Sequence, residues 1–591
     1  MNLDAQLAHL ENAQLVRQLA DEQAFIFKHA LTQETVYRTL LKKSRRDIHR
    51  RVAETIEALY ADRLDEYAAR LEQHYAEAGD DAKTLAYATR AGDASAGVYA
   101  NAEAVAHYAL GIEAAKRLTG AMRESPLREL YLKRGRQLEL ASQFPAALAN
   151  YAEMENLGRE RGDRALELSA LVAQSQILGT PNSEFNPALG ASLAEKTLTL
   201  ARALQDRAAE AKILWILVNL CRFTGRLTQA REMGEQSLKI ARELNLREQM
   251  AYTLNDLTHA YSLGGQFKHA RALIEEAQQL WRELKNLPML ADSLATASRD
   301  NNVVGRFDET IAFSEEAYQI SQAIGNRWGQ TYSLSNLGPA YWARGETARA
   351  IDTMEETLRL GESSGYPMPK VITRADLGVA LASVGAFERG LEHVRGAIAF
   401  EAALFGSNRG MRPYPLSALV QIYLWMGNLA QAAATMAAEG GDQSIPFFSI
   451  YESLARMRLA SAEADPARAW EVATRVVRQL DEFGMRSYIP EALFCQGAAE
   501  LALGQTEAAR ASLLHARAEA EAIGTRWPLW QILGALGEVE AAGGNQSKAA
   551  KLFGEAHAGI AYLADHAPAE LRDSFLKLPH VRHAEAQYVD T

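Results

Sequence analysis

The 591-residue chain holds only two cysteines, Cys221 and Cys495, far apart and each inside an apolar helical pattern. That excludes a disulfide scaffold and a cysteine-built metal cluster, and both thiols read as small buried apolar groups. Aromatic residues reach only 8%, and Val, Ile and Thr are sparse, which speaks against a β-sheet architecture. No apolar run approaches the ~20 residues that cross a bilayer; the longest obvious one is "ILWILVNL", residues 213–220. The start, "MNLDAQLAHLEN", has no basic segment leading into an apolar one, so no export signal is expected. A surplus of positive charge is missing as well. The formal charge of -11 argues against general nucleic-acid affinity, which needs a basic footprint to release counterions. There is no G-x-x-x-x-G-K-[ST] loop to wrap a triphosphate and no G-x-S-x-G elbow. The expectation is a cytoplasmic, non-enzymatic protein without cofactor, membrane or direct nucleic-acid partner.

What the chain has in abundance is Ala, with Leu, Glu, Arg and Gln, residues that lose little freedom in a helix. It also has a ruler of glycines. Gly225, Gly265, Gly305, Gly345 and Gly385 stand forty residues apart, and the pattern returns at Gly427, Gly504 and Gly544. Five residues after each comes a short side chain: Ala230, Ala270, Thr310, Ala350, Gly390, Ala432, Ala509 and Ala549. A glycine past an apolar helix takes the left-handed conformation that ends it. The short residue then lets a second helix approach the first to an interaxial distance of ~8–10 Å. Further glycines at 325, 365, 484 and 524 end the second helices. Each unit is helix, tight turn, helix, link, and one such hairpin cannot bury its apolar face without stacked neighbours. The chain is long enough for roughly eleven of them. The acidic pairs Glu275/Glu276, Glu315/Glu316 and Glu355/Glu356 recur with the repeat and mark its solvated second-helix face. The breaker-rich stretches Ser407–Pro415 and Glu439–Pro446 read as long links or a bend. The imidazoles of His580 and His583 have metal-ligand spacing, but no carboxylate or cysteine cluster completes a sphere there.

"NLGPAYWARGETARAIDTMEETL", Asn336–Leu358, resembles a tetratricopeptide repeat, with Leu337, Gly338, Tyr341, Gly345 and Ala350 at the family's spacing, and "QGAAELALGQTEAARASLLHA" from Gln496 is a second match. Weaker units begin at Ala91 and Leu138. The resemblance implies an all-α, right-handed superhelical solenoid.

The acidic chain carries one dense basic run, "FIFKHALTQETVYRTLLKKSRRDIHRR", Phe25–Arg51. Val36, Leu40, Ile48, Val52, Ile56 and Leu59 fall mostly four apart, which predicts one amphipathic helix with Lys42, Lys43, Arg45, Arg46, Arg50 and Arg51 largely on its solvated side. The same stretch resembles the end of the winged-helix domain in bacterial STAND-type signalling ATPases, some of which join a nucleotidyl cyclase, an ATPase and a tetratricopeptide arm. Arg70–Ser95 resembles the start of such an arm, and "ELRDSFLKLPHVR", Glu570–Arg582, the segment that closes one. The resemblance implies that His29 can face the phosphates of a nucleotide held by a neighbouring ATPase; the plainer alternative is a structural histidine at a strand–helix junction. The expected division is 1–60, the end of a winged helix; 61–125, the first hairpins; 126–406, repeats; and 407–591, further repeats and a closing helix. With no Walker loop, the chain is expected to be a C-terminal half that works on its own or a fragment of a longer gene.

A helical solenoid binds through the faces of its first helices. Extending the register places Lys212, Trp215, Asn219 and Arg222 on one unit, then Tyr252, Asn255 and His259, then Arg299 and Asn302, then Tyr332 and Trp342. Asn and Arg suit the main chain of an extended peptide, and Trp and Tyr offer contact area at low entropic cost. The expected function is a protein-interaction and regulatory arm that takes a protein, peptide or effector on its concave face. The alternatives are the C-terminal portion of a nucleotidyl cyclase or ATPase, acting with such a module in cis or in trans, and the arm of a DNA-binding transcription regulator.

Overall fold

A computed structural model describes residues 3–19, 25–118, 121–180, 182–405, 410–437 and 445–589. Most of the Glu439–Pro446 link, and residues 407–409 of the Ser407–Pro415 link, lie outside the described residues. The chain forms two compact units, 1–174 and 175–591.

The first unit opens with a short antiparallel hairpin, Val16–Gln18 against Phe25–Phe27, with Val16 opposite Phe27. Helices Ala30–Thr39 and Lys42–Leu59 follow. The single helix expected from Val36 onward is therefore two, because Leu40 turns extended (φ -72°, ψ 136°) and breaks the run. The face expected to be buried is also wrong in part. Val36, Ile48, Val52 and Leu59 are exposed, and the second helix packs instead through Ala53 and Ile56 against Leu64–Ala78. Glu57 on that packed side accepts from Tyr75 Oη at 2.6 Å and Lys83 Nζ at 2.7 Å, and also from Tyr87. Helical hairpins then continue through Asp81–Gly97, Asn101–Arg117, Ala121–Leu140 and Phe144–Arg161.

The second unit is an all-α solenoid of consecutive helical hairpins, from Arg207–Phe223 with Leu227–Glu243 to Leu529–Ala542 with Gln546–Asp565. Its turns follow the glycine ruler. Gly225, Gly265, Gly305, Gly345 and Gly385 all have φ between +74° and +87°. In each, the residue after the glycine donates its N–H to the carbonyl five residues earlier, as from Arg226 to Cys221 O at 2.9 Å and from Glu346 to Tyr341 O at 2.9 Å. That bond satisfies a carbonyl the helix end would leave open. First helices start on side-chain caps where the sequence supplies them: Asp206, Asn286 and Asn326 accept from backbone N–H groups three residues on. Ala230, Ala270, Thr310 and Ala350 are wholly buried between paired helices. On the outside, neighbouring second helices are laced by ion pairs to the acidic doublets, Arg242 to Glu276 at 2.9 Å and Arg389 to Glu355 at 3.2 Å. Exposed pairs of this kind stabilise by only ~0–1 kcal/mol each.

The superhelix returns onto itself within the second unit. A Cβ built on Gly265 would meet Phe483, one on Gly305 would meet Ile523 and one on Gly345 would meet Leu563, at 2.9, 2.8 and 2.7 Å. Each partner lies 218 residues further along, so one full turn takes between five and six hairpins. Hydrogen bonds seal the meeting line. Arg526 N–H donates to Ala343 O at 2.9 Å, Ala348 N–H to His566 O at 2.8 Å, and the Ser487 hydroxyl to the Asn302 and Val303 carbonyls. The Trp342 and Trp527 rings stack across it at 5.4 Å. Among the described residues no helix is long and apolar enough to cross a membrane.

Candidate functional site

Within the superhelical turn, the first helices line a cavity of about 590 Å³. That volume lies in the range of small-ligand and short-peptide sites. Asn219, Arg222, His259, Arg299, Asn302, Tyr332 and Trp342 are on its wall. Lys212, Trp215, Tyr252 and Asn255 are not. Lys212 sits seven residues, two helical turns, before Asn219 on the same helix. Trp215 is buried and donates Nε1–H to Asp256 Oδ2 at 2.6 Å; Tyr252 packs edge-on to Trp281 at 4.9 Å. Asn255 is buried and braces two helices, donating to Asp292 Oδ2 at 2.8 Å and accepting from Ser293 Oγ at 2.6 Å.

The wall mixes charges of both signs. Asn219 donates to Asp256 Oδ2 at 2.8 Å and accepts from Arg222 at 2.9 Å. Arg299 pairs with Asp300 at 2.6 Å and also contacts His259 Nδ1. Burial, then the charges of Arg299 and Arg222, push the His259 pKa well down, so this imidazole is neutral. Burial and the neighbouring Asp256 push the Asp292 carboxyl up to about 7, against the opposing hydrogen bond from Asn255. Tyr332 is pushed up to about 12 by burial, and its hydroxyl lies 3.1 Å from Thr296 Oγ1. Pro339 sits inside the helix Arg327–Ala343 and lines the cavity with Ser335. Lacking an N–H, it leaves the Ser335 carbonyl without its helical donor.

Sequence reasoning missed the carboxylates Asp256, Asp292, Asp300 and Asp376, all on the wall, and the link residues Tyr366, Tyr488 and Trp527. The signal was present in the spacing. Side chains that meet across neighbouring first helices are 36 to 41 residues apart, as Asn219 with Asp256 (37), Thr296 with Tyr332 (36) and Trp342 with Ser383 (41). A register stepped by 37 from Asn219 and Asn255 finds Asp256 and Asp292. One stepped only by forty does not.

Among the described residues no group of three or more His, Cys, Asp or Glu side chains has metal-site geometry. His580 lies 5.8 Å from Trp530, ring on ring, and His583 Nε2 is 3.8 Å from Glu538. Cys221 and Cys495 are buried free thiols. His29 is exposed at the junction between the strand Phe25–Phe27 and the helix Ala30–Thr39, where its side chain caps nothing.

No family model matches the chain, and no curated protein matches it. Among solved structures it is similar to BtubC (BKLC) from P. vanneervenii, at 19% identity over 36% of this chain and 90% of the other, with a TM-score of 0.32. It is similar to a Rap protein complexed with competence and sporulation factor, at 11% identity over 68% and 99%, TM-score 0.44. It is also similar to a signal transduction ATPase with numerous domains and a tetratricopeptide repeat sensor from Pyrococcus horikoshii, at 12% identity over 77% and 56%, TM-score 0.28. The chain thus spans just over half the length of that last protein. At these scores the fold assignment rests on the helices themselves.

Proposed function

We propose that this chain is a non-catalytic sensor arm whose second unit takes a short extended peptide, or the extended segment of a protein partner, into its channel. The observation that carries the reading is the wall itself. Asn219, Asn302, Arg299, Ser335, Tyr332 and Trp342 line one cavity. They supply main-chain donors and acceptors beside large rigid contact surfaces. Passing a random tetrapeptide library over the immobilised protein should retain a defined subset, and photo-cross-linking should map those peptides to the channel. Replacing Asn219, Arg299 and Trp342 together by Ala should lower retention at least about tenfold with the helical circular dichroism intact. Retention unchanged by the triple substitution removes the channel from the reading.

A second reading is favoured by one observation in the first unit. Leu31, Val36, Leu41, Ile48 and Leu59 are all exposed, from 46% to 76%, on the two helices that follow the strand pair and the link between them. Apolar exposure of this density marks an interaction surface. We assign residues 1–60 to the end of a winged helix whose apolar side seats an ATPase or cyclase module, with His29 turned to its nucleotide. Leu31→Asp with Leu41→Asp should leave the melting temperature unchanged while abolishing capture of such a module supplied in trans. Capture that survives both substitutions eliminates this surface.

A further inference from the structure

The helix Ile372–Ser383 carries Asp376 on the channel wall, in surroundings unlike those of the other wall carboxylates. Its Oδ1 accepts from the Tyr414 hydroxyl. Its Oδ2 is buried and has no hydrogen-bond partner among the described residues. One turn earlier on the same helix, Thr373 Oγ1 is also buried and without a partner among them. By contrast Asp256 is held by Trp215 and Asn219, and Asp300 by Arg299.

Arg458, a further cationic wall residue, is committed elsewhere. Arg458 makes a two-pronged pair with Glu491 at 2.6 and 2.7 Å and donates to Ser417 Oγ at 3.1 Å. Among the described residues no cation offsets the burial of Asp376, and burial pushes its carboxyl up to about 7 against the Tyr414 bond alone. An unpaired carboxylate in such a place is unfavourable, and a charge-matched donor offsets that cost.

The rest of the subsite is aromatic. Tyr451 lies edge-on to Tyr414 at 4.6 Å, Phe448 is 6.3 Å from Tyr414, and the Tyr451 and Tyr488 hydroxyls are 3.1 Å apart. All four line the channel. Ring faces attract a cation through their quadrupoles, more strongly when water is excluded.

We propose that Asp376 and the rings of Tyr414, Phe448 and Tyr451 form a subsite for a basic N–H group of the channel's ligand, an ammonium or a guanidinium. The charge of that group pairs with the Asp376 carboxylate, and its stem packs on the rings. The assignment rests on the channel being a peptide site, and specifies that the peptide is basic at one position.

The test uses the full-length protein and four tetrapeptide pools, randomised except for one position fixed as Arg, Lys, citrulline or norleucine. Citrulline keeps the shape of arginine and removes its charge. The Arg pool, the Lys pool or both should be retained about tenfold or more above their neutral counterparts, the worth of a charge-assisted hydrogen bond. Asp376→Asn should reduce the basic pools to the neutral level and leave retention of the neutral pools unchanged. Retention without preference for a basic residue, or a preference that survives Asp376→Asn, overturns the subsite while the peptide channel stands. If no pool is retained, the channel reading fails and the subsite falls with it. Asp376→Glu, which keeps the charge, should preserve part of the preference, separating lost recognition from lost folding.

Discussion

Replacing Gly345 by valine should lower the stability of the second unit by about 2–5 kcal/mol, and two separate physical costs combine in that figure. Gly345 has φ +81°, where a Cβ clashes with the backbone and a β-branched residue does so most; holding it there costs about 1–2 kcal/mol. A Cβ would also stand 2.7 Å from Leu563 Cδ2 and 3.2 Å from Tyr562 Cε1, on the far side of the superhelical turn. Crowding of that kind adds about 1–3 kcal/mol. Gly504 separates the two. It has φ +76° in the same kind of turn, yet a Cβ there meets nothing within 4 Å. Gly504→Val should therefore show the strain alone. Urea unfolding followed by circular dichroism would read both variants, and equal losses at the two positions would refute the contact between successive turns. Because that contact borders the channel, Gly345→Val should also weaken peptide retention where Gly504→Val does not.

This pair of glycines marks what was legible in the sequence. Both were readable as helix-ending turns, since a left-handed residue after an apolar helix needs only local chemistry. The short residues at Ala230, Ala270, Thr310 and Ala350 were readable as close-packing points for the same reason. That Gly345 abuts Leu563 and Gly504 faces open space was not. The meeting of successive turns depends on a small rotation between neighbouring hairpins, summed over five or six of them, and no single repeat displays that sum. The face expected from the register lines one cavity whose wall also carries link residues such as Tyr488 and Trp527, which the register does not find.

The site was legible to the same depth. Asn219, Arg222, His259, Arg299, Asn302, Tyr332 and Trp342 share a helix face that period alone finds, and they line the channel. Trp215 and Asn255 share the face but stop short of the channel, because each is drawn toward the next first helix by a carboxylate, Asp256 or Asp292. Near the start, the four-residue spacing around Val36 gave no sign of the break at Leu40. Neither Gly nor Pro marks it.

Trp281→Ala should be the other severe substitution, at about 3–5 kcal/mol, the range for emptying a large aromatic site. Trp281 is wholly buried in the core formed by the hairpins from Val218 to Tyr332. Its indole Nε1 has no hydrogen-bond partner among the described residues, so the loss is one of packing and not of a bond. Trp281→Phe, which keeps most of the ring, should accordingly cost less than half as much; equal losses would show that the indole holds something its packing does not explain. The consequence reaches the channel through two rings. Trp281 supports Tyr252 at 4.9 Å, Tyr252 contacts Trp215 at 5.1 Å, and Trp215 Nε1–H holds Asp256 on the channel wall. Without Trp281 that stack loses its base, and Asp256 keeps only the Asn219 amide at 2.8 Å. Trp281→Ala at a temperature where the unit remains folded should then weaken peptide retention without touching the channel, and Trp281→Phe should restore it. Tyr252 and Trp215, chosen from the sequence as contact residues, thus act on the site from behind it.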